Sequence, residues 1–143
     1  DYEIKMLSDN KIVEHFDPIS VKQYLSYFQI LSFESFEVDL KQPQIDSVLK
    51  SQPINILTVT DKDGKVNKVK FFARKPKKES YGKDGLLLKF DEERLDALMN
   101  NGIDFVMVQF YMFRKVMPSV DYFQKGASQS AEPVNLPVNK PKA

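Results

Sequence analysis

From Phe105 to Phe113 every residue except Gln109 is apolar or aromatic, inside a stretch that runs from Ile103 to Met117 between Gly102 and Pro118. A membrane-crossing helix needs about 20 apolar residues, so this run is a buried segment around which a core is assembled. Its first half, Phe105 to Phe110, carries the aromatic and β-branched residues of an interior strand. Its second half, Met112 to Met117, is expected to turn helical before Pro118. Gln109 reads either as a polar group aimed into a pocket or as an amide satisfied by nearby backbone, as buried polar groups usually are.

The chain has 143 residues, enough for one real core. We expect a single α+β domain over residues 1–125 and a Pro/Ser/Asn-rich tail over 126–143. That tail reads as disordered or as an extended clip through Val134, Leu136 and Val138. There is no cysteine, so no disulfide framework, thiolate metal site or thiol nucleophile. The opening Asp1-Tyr2-Glu3-Ile4 has no initiator Met and reads as a piece of a longer protein.

Around the central run the chain alternates short strands with helices. Tyr2 to Phe16 is expected to form a small hairpin about Ser8-Asp9-Asn10. Asp17-Pro18 starts a helix extending to about Ser35. Phe36 to Leu40 alternates as a strand or connector, and Gln44 to Leu49 is a shorter helix. Ile54 to Lys75 is a hairpin whose loop, Asp61-Lys62-Asp63-Gly64, ends on the glycine that a positive φ requires. Gly85 to Phe90 reads as a strand. Asp91 caps a short helix carrying Leu95, Leu98 and Met99 inward, which Asn100-Asn101-Gly102 ends. The fold class that follows is α+β, a mainly antiparallel sheet with two to four helices packed on it.

Candidate chemistry is sparse. His15, the one histidine, lies near Glu14, Asp17 and Ser20, but no nucleophile-elbow motif supports a hydrolase triad. The Asp61 loop lacks the later acidic ligands of a calcium site and is a turn. Asp91, Glu92, Glu93 and Asp96 suggest paired carboxylates, although acids at a helix N-terminus account for them. Gly82 and Gly85 fit no phosphate-binding pattern. No cofactor and no metal are implied, and the chain is not expected to be an enzyme.

Charge is uneven where the total is not. Residues 61–90 carry 10 Lys or Arg against 4 Asp or Glu, while residues 1–60 carry 5 against 9, within a net charge of +1. Alternation puts Lys68, Lys70, Phe72 and Arg74 on one face of the return strand, and Lys75, Lys77 and Lys78 extend it into the loop. These seven residues form a possible binding surface for an anionic polymer, because basic faces with interleaved aromatics bind such chains, or for an anionic protein or lipid surface. A near-neutral total argues against nucleic acid itself, and a solvated strand edge protected by lysines is the plain alternative.

Several segments together carry a resemblance: Leu31-Ser32-Phe33-Glu34-Ser35-Phe36, Gln44-Ile45-Asp46-Ser47, Thr58 to Lys65, Asp104 to Phe113, and Tyr122-Phe123. Over about residues 1–124 the chain resembles an exported bacterial domain family of unknown function, of the Bacteroidetes type, similar to domains encoded beside gliding-linked ABC-transport genes. The resemblance implies a periplasmic or cell-envelope domain whose membrane segment precedes this sequence. It carries no catalytic residues over. The function expected is a non-enzymatic protein-interaction or scaffold domain of a membrane-associated assembly, with a protein partner. Anionic-polymer binding through residues 68–78 is the alternative, and a hydrolase using His15 a distant third.

Overall fold

The computed structural model describes residues 1–125; the expected tail, 126–143, lies outside them. In chain order the elements are helix α1 (Pro18–Ser26), strand β1 (Ser35–Phe36), helix α2 (Gln42–Lys50), and strands β2 (Asn55–Thr60), β3 (Val66–Ala73), β4 (Arg94–Met99) and β5 (Asp104–Gln109). Helices α3 (Phe110–Phe113) and α4 (Val120–Lys125) complete them. The described chain divides into two compact units, one of residues 1–31 with 114–125 and one of residues 32–113.

In the first unit a Lys5↔Ile12 bridge closes the N-terminal hairpin. Asp17 caps α1, accepting from the Ile19 N–H at 3.0 Å and from the Ser20 hydroxyl at 3.0 Å; a cap of this kind contributes about 1 kcal/mol. The expected helix to Ser35 stops early, because α1 passes into a 3-10 turn at Tyr27–Ile30 and the chain is extended from Leu31. Tyr24 then meets Phe28 and Phe123 edge-on, both with ring centroids 5.3 Å apart. Burial pushes the Tyr122 phenol up to about 12, and its hydroxyl donates to Gln23 Oε1 at 3.3 Å.

The second unit is an α+β sheet of order β1-β5-β4-β3-β2, antiparallel throughout. The β2–β3 hairpin forms as expected: Asp61 Oδ1 accepts from the Asp63 and Lys65 N–H groups, both at 2.9 Å, and Gly64 has φ +82°. One face is apolar. Phe71 lies beside Ala97 and Ala97 beside Val106, with Leu95 beside Val108 in the next row, all fully buried. Phe113 covers this face, its ring 5.5 Å from that of Phe71. Burying a phenylalanine or leucine this way is worth roughly 2–3 kcal/mol each.

The sequence reading places a helix where β4 runs. Asp91 Oδ1 accepts from the Glu93 and Arg94 N–H groups at 2.8 and 3.0 Å, the local turn chemistry that also opens a helix. Leu95, Leu98 and Met99 fit helical spacing, yet Leu95, Ala97 and Met99 also alternate. Ladders on both sides, to β3 and β5, satisfy this backbone better than a lone short helix would. Asn100, Asn101 and Gly102, with φ +50°, +55° and +94°, are accordingly the turn of a β4–β5 hairpin rather than a helix exit. Asn101 also reaches sideways, accepting from Lys68 N–H at 3.1 Å and donating to Val66 C=O at 3.2 Å. Its side chain thus continues the ladder where β4 has ended.

Two other expectations are corrected. Gly85 to Phe90 is no strand and contributes only a Tyr81↔Leu87 bridge. In the 36–40 segment, Phe36 and Val38 are exposed while Glu37 is buried, the reverse of hydrophobic alternation. The reason lies on the sheet's second face.

Candidate functional site

That second face carries Phe72 and Asp96, directly opposed in the β3–β4 register. Arg74 follows β3 on the same side, and all three are buried, at 1%, 2% and 5% exposure. Arg74 Nε donates to Glu37 Oε1 at 2.9 Å and lies 3.3 Å from Asp96 Oδ1; its Nη1 lies 3.7 Å from Asp91 Oδ2. One guanidinium therefore faces three carboxylates brought from three places in the chain. Glu37 turns inward because a buried Arg74 requires a charged partner, and its apolar neighbours turn out as a consequence.

An arginine Nε has a single N–H, and here it is given to Glu37. Asp96 Oδ1 is left at ion-pair distance but without a hydrogen bond. Burial first, and then the neighbouring Glu37 carboxyl, raise the Asp96 pKa to about 7 against the opposing pull of Arg74. For Arg74, burial works against the charge, and the bond to Glu37 with the surrounding carboxylates more than restores it.

The cluster opens onto a cavity of about 1040 Å³. Helix α2 forms its far wall through Pro43, Gln44, Ser47 and Val48, and Leu40, Ile54, Ala73 and Phe90 make the rest largely apolar. The α2 helix is set by Pro43 in its first turn and by Gln44, whose side-chain oxygen accepts the Lys41 N–H at 2.9 Å. Its apolar residues Ile45, Val48 and Leu49 are only half-buried, so the helix overhangs the sheet instead of closing on it. Lys75, Lys77 and Lys78 stand exposed at the rim, where Lys77 Nζ bonds Asp39 Oδ2 at 2.6 Å.

The structure divides the seven residues of the expected basic surface. Phe72 and Arg74 leave it for the interior, because this end of β3 is covered and Arg74 is consumed by carboxylates. Lys68 is exposed and Lys70 half-exposed, beside a smaller cavity of about 510 Å³ with Val66, Leu98 and Asn101. Lys75, Lys77 and Lys78 belong to the larger cavity's mouth. With the single interleaved aromatic withdrawn, no continuous basic-aromatic stripe remains on this strand.

The other candidates are also placed. His15 is exposed at φ +56°, and no side-chain partner joins it among the described residues; the nearby Ser20 hydroxyl is engaged with Asp17. Gln109 is half-buried opposite Arg94. Arg94 grips Glu34 through two bonds of 3.0 and 3.3 Å and, with a smaller contribution from Gln109, holds that carboxyl below its ordinary range. Gln109 is thus paired to a side chain and does not line the large cavity. Among the described residues no group of three or more His, Asp or Glu is placed to hold a metal ion, and no helix is long and apolar enough to cross a membrane.

Sequence reasoning missed Glu37 and dismissed Asp96. The available signal was the alternation of Leu95, Ala97 and Met99, which puts Asp96 inside the opposite face. Compared with known proteins, the chain matches no family model, no curated protein and no solved structure.

Proposed function

We propose that this chain is a non-enzymatic binding domain whose ligand occupies the cavity between α2 and the Arg74 end of the sheet. The observation that carries this reading is a largely apolar cavity lined at its inner end by Asp96, a carboxyl whose covered Oδ1 accepts no hydrogen bond. Binding sites combine apolar walls with a few fixed polar groups, and perturbed carboxyls concentrate in them. The setting we attach to it, a periplasmic or envelope-associated assembly with a membrane segment preceding this sequence, is the one the family resemblance implies. A direct test is an amide-NMR titration with hexanol, hexanoate and hexylamine at millimolar concentration. Shifts centred on Val48, Ile54 and Phe90 support the reading; unchanged spectra with all three overturn it.

A second reading, general-acid catalysis by Asp96, draws on its raised pKa. The cavity wall supplies hydroxyls at Ser47 and Ser51, but the Ser51 hydroxyl is donated to Val48 C=O at 2.5 Å.

A further inference from the structure

We propose that the ligand of this cavity is a small organic monocation, an ammonium group on an apolar body, whose charged end binds the unpaired oxygen of Asp96. The inference rests on the cavity being a binding site and names what it selects.

Three observations lead to it. First, the charge at the cluster is uneven: the one guanidinium of Arg74 faces Glu37, Asp96 and the half-buried Asp91, at 2.9, 3.3 and 3.7 Å. Buried carboxylates in excess demand another positive charge or a proton. Second, the vacancy is a specific atom. Asp96 Oδ1 accepts no hydrogen bond and is covered, so a carboxyl that turns it towards the cavity gives an N⁺–H donor a charge-assisted bond with no existing hydrogen bond to break. Third, the surroundings select size and polarity. The cavity admits a molecule of several carbons against Leu40, Val48, Ile54 and Phe90.

The same geometry excludes neighbouring chemistries. An anion would meet the carboxylates at the inner end. A divalent metal would sit against the guanidinium, which already occupies the centre of the cluster. A dication would carry its outer charge to Lys75 and Lys78 at the rim, so the outer end of the ligand is neutral or anionic. The Lys77–Asp39 pair at the mouth is internally compensated.

Proton and ammonium compete for one carboxyl. With the cavity empty, Asp96 is partly protonated near neutrality, facing Glu37, Arg74 and Asp91 within and Asp39, Lys75, Lys77 and Lys78 at the rim. Alkylammonium groups stay charged throughout this range. Cation affinity therefore rises with pH as Asp96 ionises.

The test is calorimetric or NMR titration of the protein with hexylamine, hexanol and hexanoate at about pH 6 and about pH 8. Hexylamine is expected to bind at least about tenfold tighter than either of the others at the higher pH, with part of that advantage lost at the lower. Asp96→Asn is expected to lose the amine preference while still binding hexanol, which also verifies its fold. Hexanoate binding as well as hexylamine, or an amine preference that survives Asp96→Asn, would overturn the cation inference and leave the cavity reading standing. Failure of all three probes overturns both.

Discussion

Asp96 Oδ1 lies 3.3 Å from Arg74 Nε, yet the one hydrogen on that nitrogen is committed to Glu37 at 2.9 Å. An ion pair without a hydrogen bond is a poor return for burying a carboxylate. The consequence is a carboxyl whose Oδ1 is held by charge and burial, in a residue that lines an apolar cavity. Stability, proton binding and ligand choice in this molecule all meet at that oxygen.

Asp96→Asn removes the titration without changing shape. Because the folded carboxyl has its pKa raised from 3.8 to about 7, the folded state holds more protons than the unfolded one between these values. Stability from this group is therefore full below about pH 4 and is lost as pH rises towards 7, by up to about 1.4 kcal/mol per pH unit. Urea unfolding at several pH values should give a flatter profile for Asp96→Asn and a more stable variant at pH above 7. A steeper decline in the variant contradicts the assignment.

Arg74→Met should be far more harmful than its conservative volume suggests. It leaves Glu37 and Asp96 buried without a counter-charge, for which a loss of about 3–5 kcal/mol is expected. Lys68→Met, on an exposed stretch of the same strand, should stay within about 0.5 kcal/mol. Equal effects at the two positions would show that Arg74 is solvated.

Asn101→Gly separates backbone from side chain. Glycine tolerates the positive φ of +55°, so the change removes chiefly the bonds to Lys68 and Val66. A loss of about 1–2 kcal/mol in chemical denaturation is expected. Asn101→Ala should cost more, since it adds left-handed strain. Neutral behaviour of Asn101→Gly would mean that the side chain does not extend the ladder.

The β2–β3 hairpin was legible because Asp61 and Gly64 supply turn chemistry that competes with nothing else nearby. The α+β class and the burial of Val106 and Val108 followed from the apolar run in the same way. β4 was not legible, since an aspartate turn at Asp91 opens helices and strands alike and only the flanking β3 and β5 ladders decide between them. Glu37 was hidden for a different reason. Hydrophobic alternation predicts Phe36 and Val38 inside, but a buried guanidinium 37 residues away outweighs that preference, and nothing local encodes the partnership.

The basic residues of the strand and loop should not act together. Lys68 and Lys70 lie on the strand and Lys75, Lys77 and Lys78 at the cavity mouth, with Phe72 and Arg74 withdrawn between them. Heparin chromatography should accordingly show little salt-dependent retention, and Lys68→Glu with Lys70→Glu should change it little. Strong retention lost in that double variant would restore the anionic-polymer reading.

A carboxyl-carbon NMR titration of Asp96, with and without hexylamine, bears most directly on the central claim. The midpoint is expected near about 7 in the free protein and lower when the amine is bound, as a cation at Oδ1 favours the ionised form. A midpoint close to the ordinary aspartate value, unmoved by the amine, would show that this carboxyl is neither unsatisfied nor the ligand's anchor.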